Sequence, residues 1–184
     1  ILGPSGSGKS TLINLLVGLI SDFKGTLQID DKIVDNKTIN SWRNQIAYVP
    51  QNVFLFDASL KSNIMFGSNS KKDISLKELL YQVKLNSFIG ERNIDDIQLG
   101  ERASKISGGE KQRIALARAL FKKAPLIVFD EATNALDKKV EHEIFEIIYN
   151  LNDITIIVIS HDKHNLYGCD KVFEIKNKKM QEID

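Results

Sequence analysis

The sequence predicts an α/β fold: a mainly parallel sheet with helices packed on it and a helical subdomain inserted between two parts of the α/β core. Three observations predict this. The continuous apolar runs LIVF at Leu126–Phe129 and ITIIVI at Ile154–Ile159 read as strands buried on both faces, as in a parallel sheet. Strand-like and helix-like segments alternate along the chain. The stretch Ser68–Lys105 breaks that alternation, being polar with one helical segment. At 184 residues the chain is long enough for one core carrying one insertion. The expected division is a helical subdomain over 68–122, with the α/β core at 1–67 and 123–184.

The elements follow in order. Leu12, Ile13, Leu15, Leu16 and Ile20 space a helix after a glycine-rich loop, with Gly18 near its end. GTLQID (Gly25–Asp30) alternates and predicts a strand, turning at Asp30-Asp31. The polar DNKTINSWRNQ is a loop or a short helix, and IAYVP (Ile46–Pro50) is a short strand ended by proline. Asp57-Ala58-Ser59 supplies a cap for a helix LKSNIMF. In LKELLYQVKL, Leu76, Leu79, Leu80 and Val83 fall on one helical face. SGGEKQRIALARALFKK has helical period and stops near Pro125. LIVFD is the next strand. Val140, Ile144, Ile147, Ile148 and Leu151 then form the apolar side of a helix over Lys138–Leu151. ITIIVIS is a second buried strand, and KVFEIKNKKMQEID closes as a hairpin turning at Asn177-Lys178.

Composition narrows the function classes. With 42% apolar and 27% charged residues the chain is an ordinary globular domain. A net charge of +1 gives no electrostatic footprint for nucleic acid, and none is expected as a partner. No apolar run approaches the ~20 residues of a membrane span. The single cysteine, Cys169, forms no internal disulfide and reads as a partly buried small residue. Lysine pairs at helix ends, Lys122-Lys123 and Lys138-Lys139, read as solvated faces. His142 and His164 receive no role.

Chemistry concentrates in three places. Gly3-Pro4-Ser5-Gly6-Ser7-Gly8-Lys9-Ser10, followed by Thr11, fits G-x-x-x-x-G-K-[ST], the phosphate-binding P-loop. Its glycines let successive N–H groups face inward at a helix N-terminus, where unpaired N–H groups and the dipole favour an anion. Lys9 would reach the β- and γ-phosphates and Ser10 would ligate Mg²⁺. A flexible Gly/Ser loop before an ordinary helix is the bland alternative. Second, LIVFDEAT delivers Asp130 and Glu131 at the end of a buried strand, at the sheet edge where α/β folds bind ligands. Asp130 would hold Mg²⁺, and Glu131 would orient and polarise an attacking water. The alternative is a pair of solvated carboxylates. Third, Ser107-x-x-Glu110 forms a capping box, with Gly108 and Gly109 leaving the first helical N–H groups open to an anion. A capped helix without ligand is the alternative there.

Taken together these segments resemble the nucleotide-binding domain of ATP-binding cassette (ABC) proteins. The matching pieces, in order, are Gly3–Ser10, YVPQ with Gln51, ISGGEKQRIALARAL, Leu126–Glu131, NALD at Asn134–Asp137, and SHD with His161. The resemblance implies a P-loop NTPase core whose helical subdomain lies between Gln51 and the signature segment, with ATP and Mg²⁺ as ligands. It implies that two domains pair head to tail. Ser107, Gly108, Gly109 and Glu110 of one copy would then face the nucleotide held by Gly3–Thr11 of the other. By the same resemblance Gln51 contacts Mg²⁺ or water, His161 binds the γ-phosphate and steadies Glu131, and Asp137 joins the two sites at the dimer interface.

VFLFDASLKSNIMFG after Gln51 and LGERASKISGG (Leu99–Gly109), with Gly100, Glu101 and Arg102, resemble exporter-type domains. Partners are then a second ATPase domain and a transmembrane domain upstream, at the cytoplasmic face of the inner membrane. Three positions depart from the family pattern: Glu110 in place of glutamine, Asn134 in place of serine, and Asp162 where exporters more often have arginine. His161-Asp162 keeps an importer subunit open as an alternative, as is a soluble non-transport ABC ATPase. Ile1 is expected to be a cut end, because such domains carry strands and an adenine-stacking aromatic before the loop.

Overall fold

The computed structural model describes residues 1–68, 75–100, 106–133 and 136–183. A three-stranded parallel sheet forms its centre: β3 (Ile46–Val49), β4 (Leu126–Asp130) and β5 (Thr155–Ile159), in the order β3-β4-β5. The register runs Ile46↔Leu126 and Leu126↔Thr155 through to Asp130↔Ile159. Four of β4's five residues are buried, as expected for a strand with neighbours on both edges and layers on both faces.

Leu2 extends this sheet. It bridges in parallel to Ser160, just past β5, and to Glu174 in β6 (Val172–Lys176). Its N–H donates to the Phe173 carbonyl at 2.7 Å, and its carbonyl accepts from Ile175 N–H at 2.8 Å. β6 turns through Asn177-Lys178 into antiparallel β7 (Lys179–Ile183). Both turn residues have positive φ, 51° and 60°, the left-handed geometry of a tight hairpin. The alternating GTLQID shortens to β1 (Gln28–Ile29), paired only with β2 (Lys32–Ile33). Its turn falls at Asp30-Asp31, both at positive φ.

Side-chain alternation sorts the sheet's two faces. Ile46, Leu126, Val128 and Ile159 pack with Ile13 of the first helix, with Val17 at its C-cap and with Trp42. That helix is α1 (Lys9–Leu16), and Trp42 lies in α2 (Ile39–Asn44). Trp42 Nε1–H donates to the Leu16 carbonyl at 2.7 Å and Arg43 Nε–H to the Gly18 carbonyl at 3.1 Å. Thus α2 closes the C-terminal end of α1, where carbonyls lack helical partners.

On the opposite face, Ala47, Val49, Ile127, Phe129 and Val158 join the larger core. It includes α6 (Gly108–Lys122), α7 (Lys138–Tyr149) and the small helices α3 (Leu60–Met65), α4 (Leu76–Gln82) and α5 (Asn86–Ile89). α6 is buried on most sides, so its polar residues carry internal bonds. Arg113 Nη1–H donates to the Val83 carbonyl at 3.3 Å, and Arg118 Nε–H to the Asn63 carbonyl at 2.8 Å. No helix among the described residues is long and apolar enough to cross a membrane.

Candidate functional site

The glycine-rich loop leaves the sheet at Leu2 and turns into α1 at Gly8, whose φ of 104° suits glycine and which has no side chain to cap the helix. The first N–H groups of α1 are therefore open to an external acceptor. Lys9 is only 4% exposed. Its ammonium donates to the carbonyls of Gly3 at 2.7 Å and Pro4 at 3.1 Å, so it lies within the curve of the loop. Ser7 Oγ is buried with no hydrogen-bond partner among the described residues. Pro4, Ser5, Gly6, Ser10 and Thr11 are exposed along the loop and first turn.

The second motif meets the first. β4 ends at Asp130, and Glu131 has φ +47°. The strand's alternation stops there, and the Glu131 carboxylate Oε1 comes to 3.3 Å from Lys9 Nζ. Glu131 N–H donates to the Ile159 carbonyl at 3.2 Å, fixing it beside the end of β5. His161 stands two residues beyond Ile159 and is exposed. The P-loop lysine, the strand-end carboxylates and His161 are thus collected at one end of the parallel sheet.

These residues fit a polyphosphate with a hard cation. The buried Lys9 ammonium gives the loop a positive charge beside the partnerless buried hydroxyl of Ser7, and Ser10, Asp130 and Gln51 are oxygen donors of the kind Mg²⁺ takes.

The signature segment has different neighbours. Ser107 caps α6 with a complete capping box: Glu110 N–H donates to Ser107 Oγ at 3.3 Å, and Glu110 Oε2 accepts from Ser107 N–H at 2.8 Å and Oγ–H at 2.7 Å. This helix start lies against α7. A Cβ on Gly108 would meet Leu136 at 3.5 Å, and one on Gly109 would meet Val140 at 2.9 Å. Asp137 caps α7, accepting from Val140 N–H at 3.1 Å. Gln51 is exposed, and its carbonyl accepts from Gln112 Nε2–H of α6 at 3.0 Å. Glu101, Arg102 and Asn134 lie outside the described residues.

Four residues that the sequence left without a role are tied to these motifs. The Tyr48 hydroxyl donates to Asp130 Oδ2 at 2.5 Å. Burial and that carboxylate push the hydroxyl well above its ordinary pKa, so it is a fixed donor. Glu141, 6% exposed, accepts from Thr133 Oγ1–H at 2.9 Å and Asn165 Nδ2–H at 2.8 Å, and pairs with Lys138 at 2.9 Å. Burial pushes the Glu141 carboxyl up, but the bonds from Lys138, Asn165 and Thr133 outweigh it and hold it below its usual value. Lys138 also reaches Asp162 Oδ2 at 3.2 Å. Of the lysines read as solvated faces, Lys138 is exposed yet also pairs with the segment carrying His161, and Lys122 donates to the Ile46 carbonyl at 2.5 Å.

Compared with known proteins, the chain takes its place in two steps. Residues 1–134 match the family model described as ABC transporter, and the chain belongs to that family, with the ABC ATPase fold. Within it, the similar proteins are exporters and flippases. The chain is 38% identical over 184 residues to the ATP-dependent lipid A-core flippase of Desulfotalea psychrophila, covering 99% of this chain and 32% of that protein. It is 37% identical over 186 residues to the mitochondrial iron-sulfur clusters transporter ATM1 of Debaryomyces hansenii, covering 99% of this chain and 27% of that protein. A solved structure of a bacterial Atm1-family ABC exporter with ATP bound superposes with a TM-score of 0.86 at 32% identity, over 98% of this chain and 32% of that one. The chain therefore spans under a third of the length of these relatives.

Proposed function

We propose that this chain binds and hydrolyses ATP to power export or flipping of a substrate across a membrane. It would work from the cytoplasmic face, joined to a transmembrane domain and paired head to tail with a second ATPase domain. The observation that carries the reading is the 3.3 Å approach of Lys9 to Glu131, which unites the phosphate loop with the strand-end carboxylate. The names of the relatives, a lipid A-core flippase and an iron-sulfur clusters transporter among them, support the exporter class.

In this reading the backbone N–H groups of Gly6–Ser10 and the Lys9 ammonium hold the β- and γ-phosphates. Ser10, Gln51 and Asp130 hold Mg²⁺. Bound Mg²⁺ supplies charge neutralisation at the phosphate oxygens. Glu131 orients the attacking water and accepts its proton, and His161 meets the γ-phosphate and steadies Glu131. Most of the catalysis is positioning and electrostatics on groups already in place. Ser107, Gly108, Gly109 and Glu110 contact the partner copy's nucleotide, and Asp137 couples the two sites. Residues 68–122 are the helical subdomain that carries the signature helix.

The exporters and flippases among the relatives do not favour an importer subunit. Asp162 itself caps the short 3₁₀ turn Lys163–Leu166 through His164 N–H at 2.9 Å and pairs with Lys138. The test is Glu131→Gln in the full-length protein. Loss of the general base should leave ATP binding intact and slow hydrolysis about 10²–10⁴-fold. Turnover within threefold of wild type would remove Glu131 from that role.

A further inference from the structure

The carboxylate at the end of β4 is held before any ligand arrives. Tyr48 lies on β3 opposite Val128, and alternation puts Tyr48, Val128 and Asp130 on the α1 face of the sheet. From there the phenol spans the strand gap, and its hydroxyl donates to Asp130 Oδ2 at 2.5 Å. Tyr48 is 37% exposed, so this contact sits at the lip of the sheet rather than in the core. Core packing does not require a hydroxyl at that position.

The chemistry of the acceptor gives the contact its meaning. A carboxylate at a strand end has two equivalent oxygens and a soft terminal torsion. A donor on one oxygen fixes the rotation and leaves the other as the single available ligand. Mg²⁺ demands near-ideal octahedral geometry and is reluctant to shed its waters, so a carboxylate with fixed orientation suits it better than a rotating one. Outer partners of metal ligands commonly work in this way.

We propose that Tyr48 is a positioning residue for the Mg²⁺ site: its hydroxyl, bonded to Asp130 Oδ2, orients the carboxylate and reserves Oδ1 for the metal or its water. The inference rests on the reading of Asp130 as a Mg²⁺-holding residue. Tyr48 touches neither nucleotide nor metal in this role. Its strand runs directly into Pro50 and Gln51, so the same short segment carries both the orienting phenol and a proposed metal contact.

The experiment uses the full-length protein with a non-hydrolysable ATP analogue and Mn²⁺ as the probe. Water-proton relaxation separates protein-held from nucleotide-held metal. Nucleotide affinity is measured separately in EDTA. Tyr48→Phe keeps the ring and removes the donor. It should weaken Mn²⁺ binding to the protein–nucleotide complex about tenfold, the lower end of the range for outer partners of metal ligands. Nucleotide affinity in EDTA should stay within twofold of wild type. Asp130→Asn, run in parallel, should weaken Mn²⁺ at least as much. If Asp130→Asn weakens Mn²⁺ and Tyr48→Phe does not, the positioning role is refuted while the assignment of Asp130 survives. If Asp130→Asn also leaves Mn²⁺ binding unchanged, the assignment of Asp130 fails and the role of Tyr48 with it. Equal losses of metal and metal-free nucleotide affinity in Tyr48→Phe would mark a merely structural residue and overturn the proposal.

Discussion

Removing the Glu141 carboxylate should loosen the segment that carries His161, by an amount set by which oxygen holds which donor. Oε1 receives the two buried donors, Thr133 Oγ1–H and Asn165 Nδ2–H. Oε2 receives Lys138, whose side chain is 80% exposed. Glu141→Ala orphans the two buried donors at about 1–3 kcal/mol each. Water entering the vacated space recovers part of this, so we expect a net loss of about 2–4 kcal/mol. The exposed Lys138 pair adds less than ~1 kcal/mol. Hydrogen exchange on the full-length protein reads this directly. Amides of α7 and of residues 160–166 should exchange about 30- to 900-fold faster, at tenfold per 1.36 kcal/mol. Glu141→Gln keeps an acceptor at the Oε1 position and gives up only the surface pair, so its exchange should rise less than about fivefold. Exchange within threefold of wild type in the alanine variant would refute the network's role. Equal effects of alanine and glutamine would show that charge, and not acceptor geometry, holds the segment.

Two further outcomes follow from the same region. Gly109→Ala should cost about 1–3 kcal/mol because its Cβ would stand 2.9 Å from the stiff Val140 side chain. Gly108→Ala, with ordinary 3.5 Å contact to Leu136, should be neutral or stabilising. Thermal unfolding of Gly109→Ala with and without Val140→Ala checks this, with the double variant recovering most of the loss. Acid should act on α7 and its partner segment. The Glu141 and Asp162 carboxyls are held below their ordinary values, Asp162 by the His164 N–H and Lys138. A lowered folded-state pKa adds stability that is present above the unfolded value and is lost as pH falls through the folded one. Exchange of residues 138–149 should therefore rise as pH drops below about 4, after correction for intrinsic rates, and less steeply in Glu141→Gln.

What the sequence disclosed follows from how local each signal is. The Ser107-x-x-Glu110 box, the Ser59 cap, the β4 run and the Asn177-Lys178 turn are settled by a few adjacent residues, and all four form as read. GTLQID alternates like a strand, but alternation does not supply a partner. Only Gln28–Ile29 pair, and only with the neighbouring β2. The supporting polar residues were invisible for the converse reason. Tyr48 finds Asp130 82 residues away, Lys138 finds Asp162 24 residues away, and Gln112 finds the Gln51 carbonyl 61 residues away. In the local sequence each is simply a polar residue on a strand or helix. Only the folded chain, with β3 beside β4 and the helices packed over the sheet, brings these partners together.

The conformation of Glu131 explains why the motif reads Asp-Glu at this strand end and what holds it there. Asp130 shares its face with Val128 and Tyr48, towards α1. A residue continuing the strand would point to the other face, into the layer of α6 and α7, and a carboxylate there would be buried without a cation. The φ of +47° at Glu131 breaks that alternation and returns the carboxylate to the P-loop side, at 3.3 Å from Lys9. For a residue with a Cβ such backbone costs about 1–3 kcal/mol. The Glu131 N–H bond to the Ile159 carbonyl and the ion pair with a 4%-exposed lysine offset it. Glycine would relax the backbone but remove the carboxylate, and a β-branched residue would resist the turn. The left-handed residue is thus what allows two adjacent carboxylates at one strand end to lie on the same side of the sheet, one bonded to Tyr48 and the other paired with Lys9.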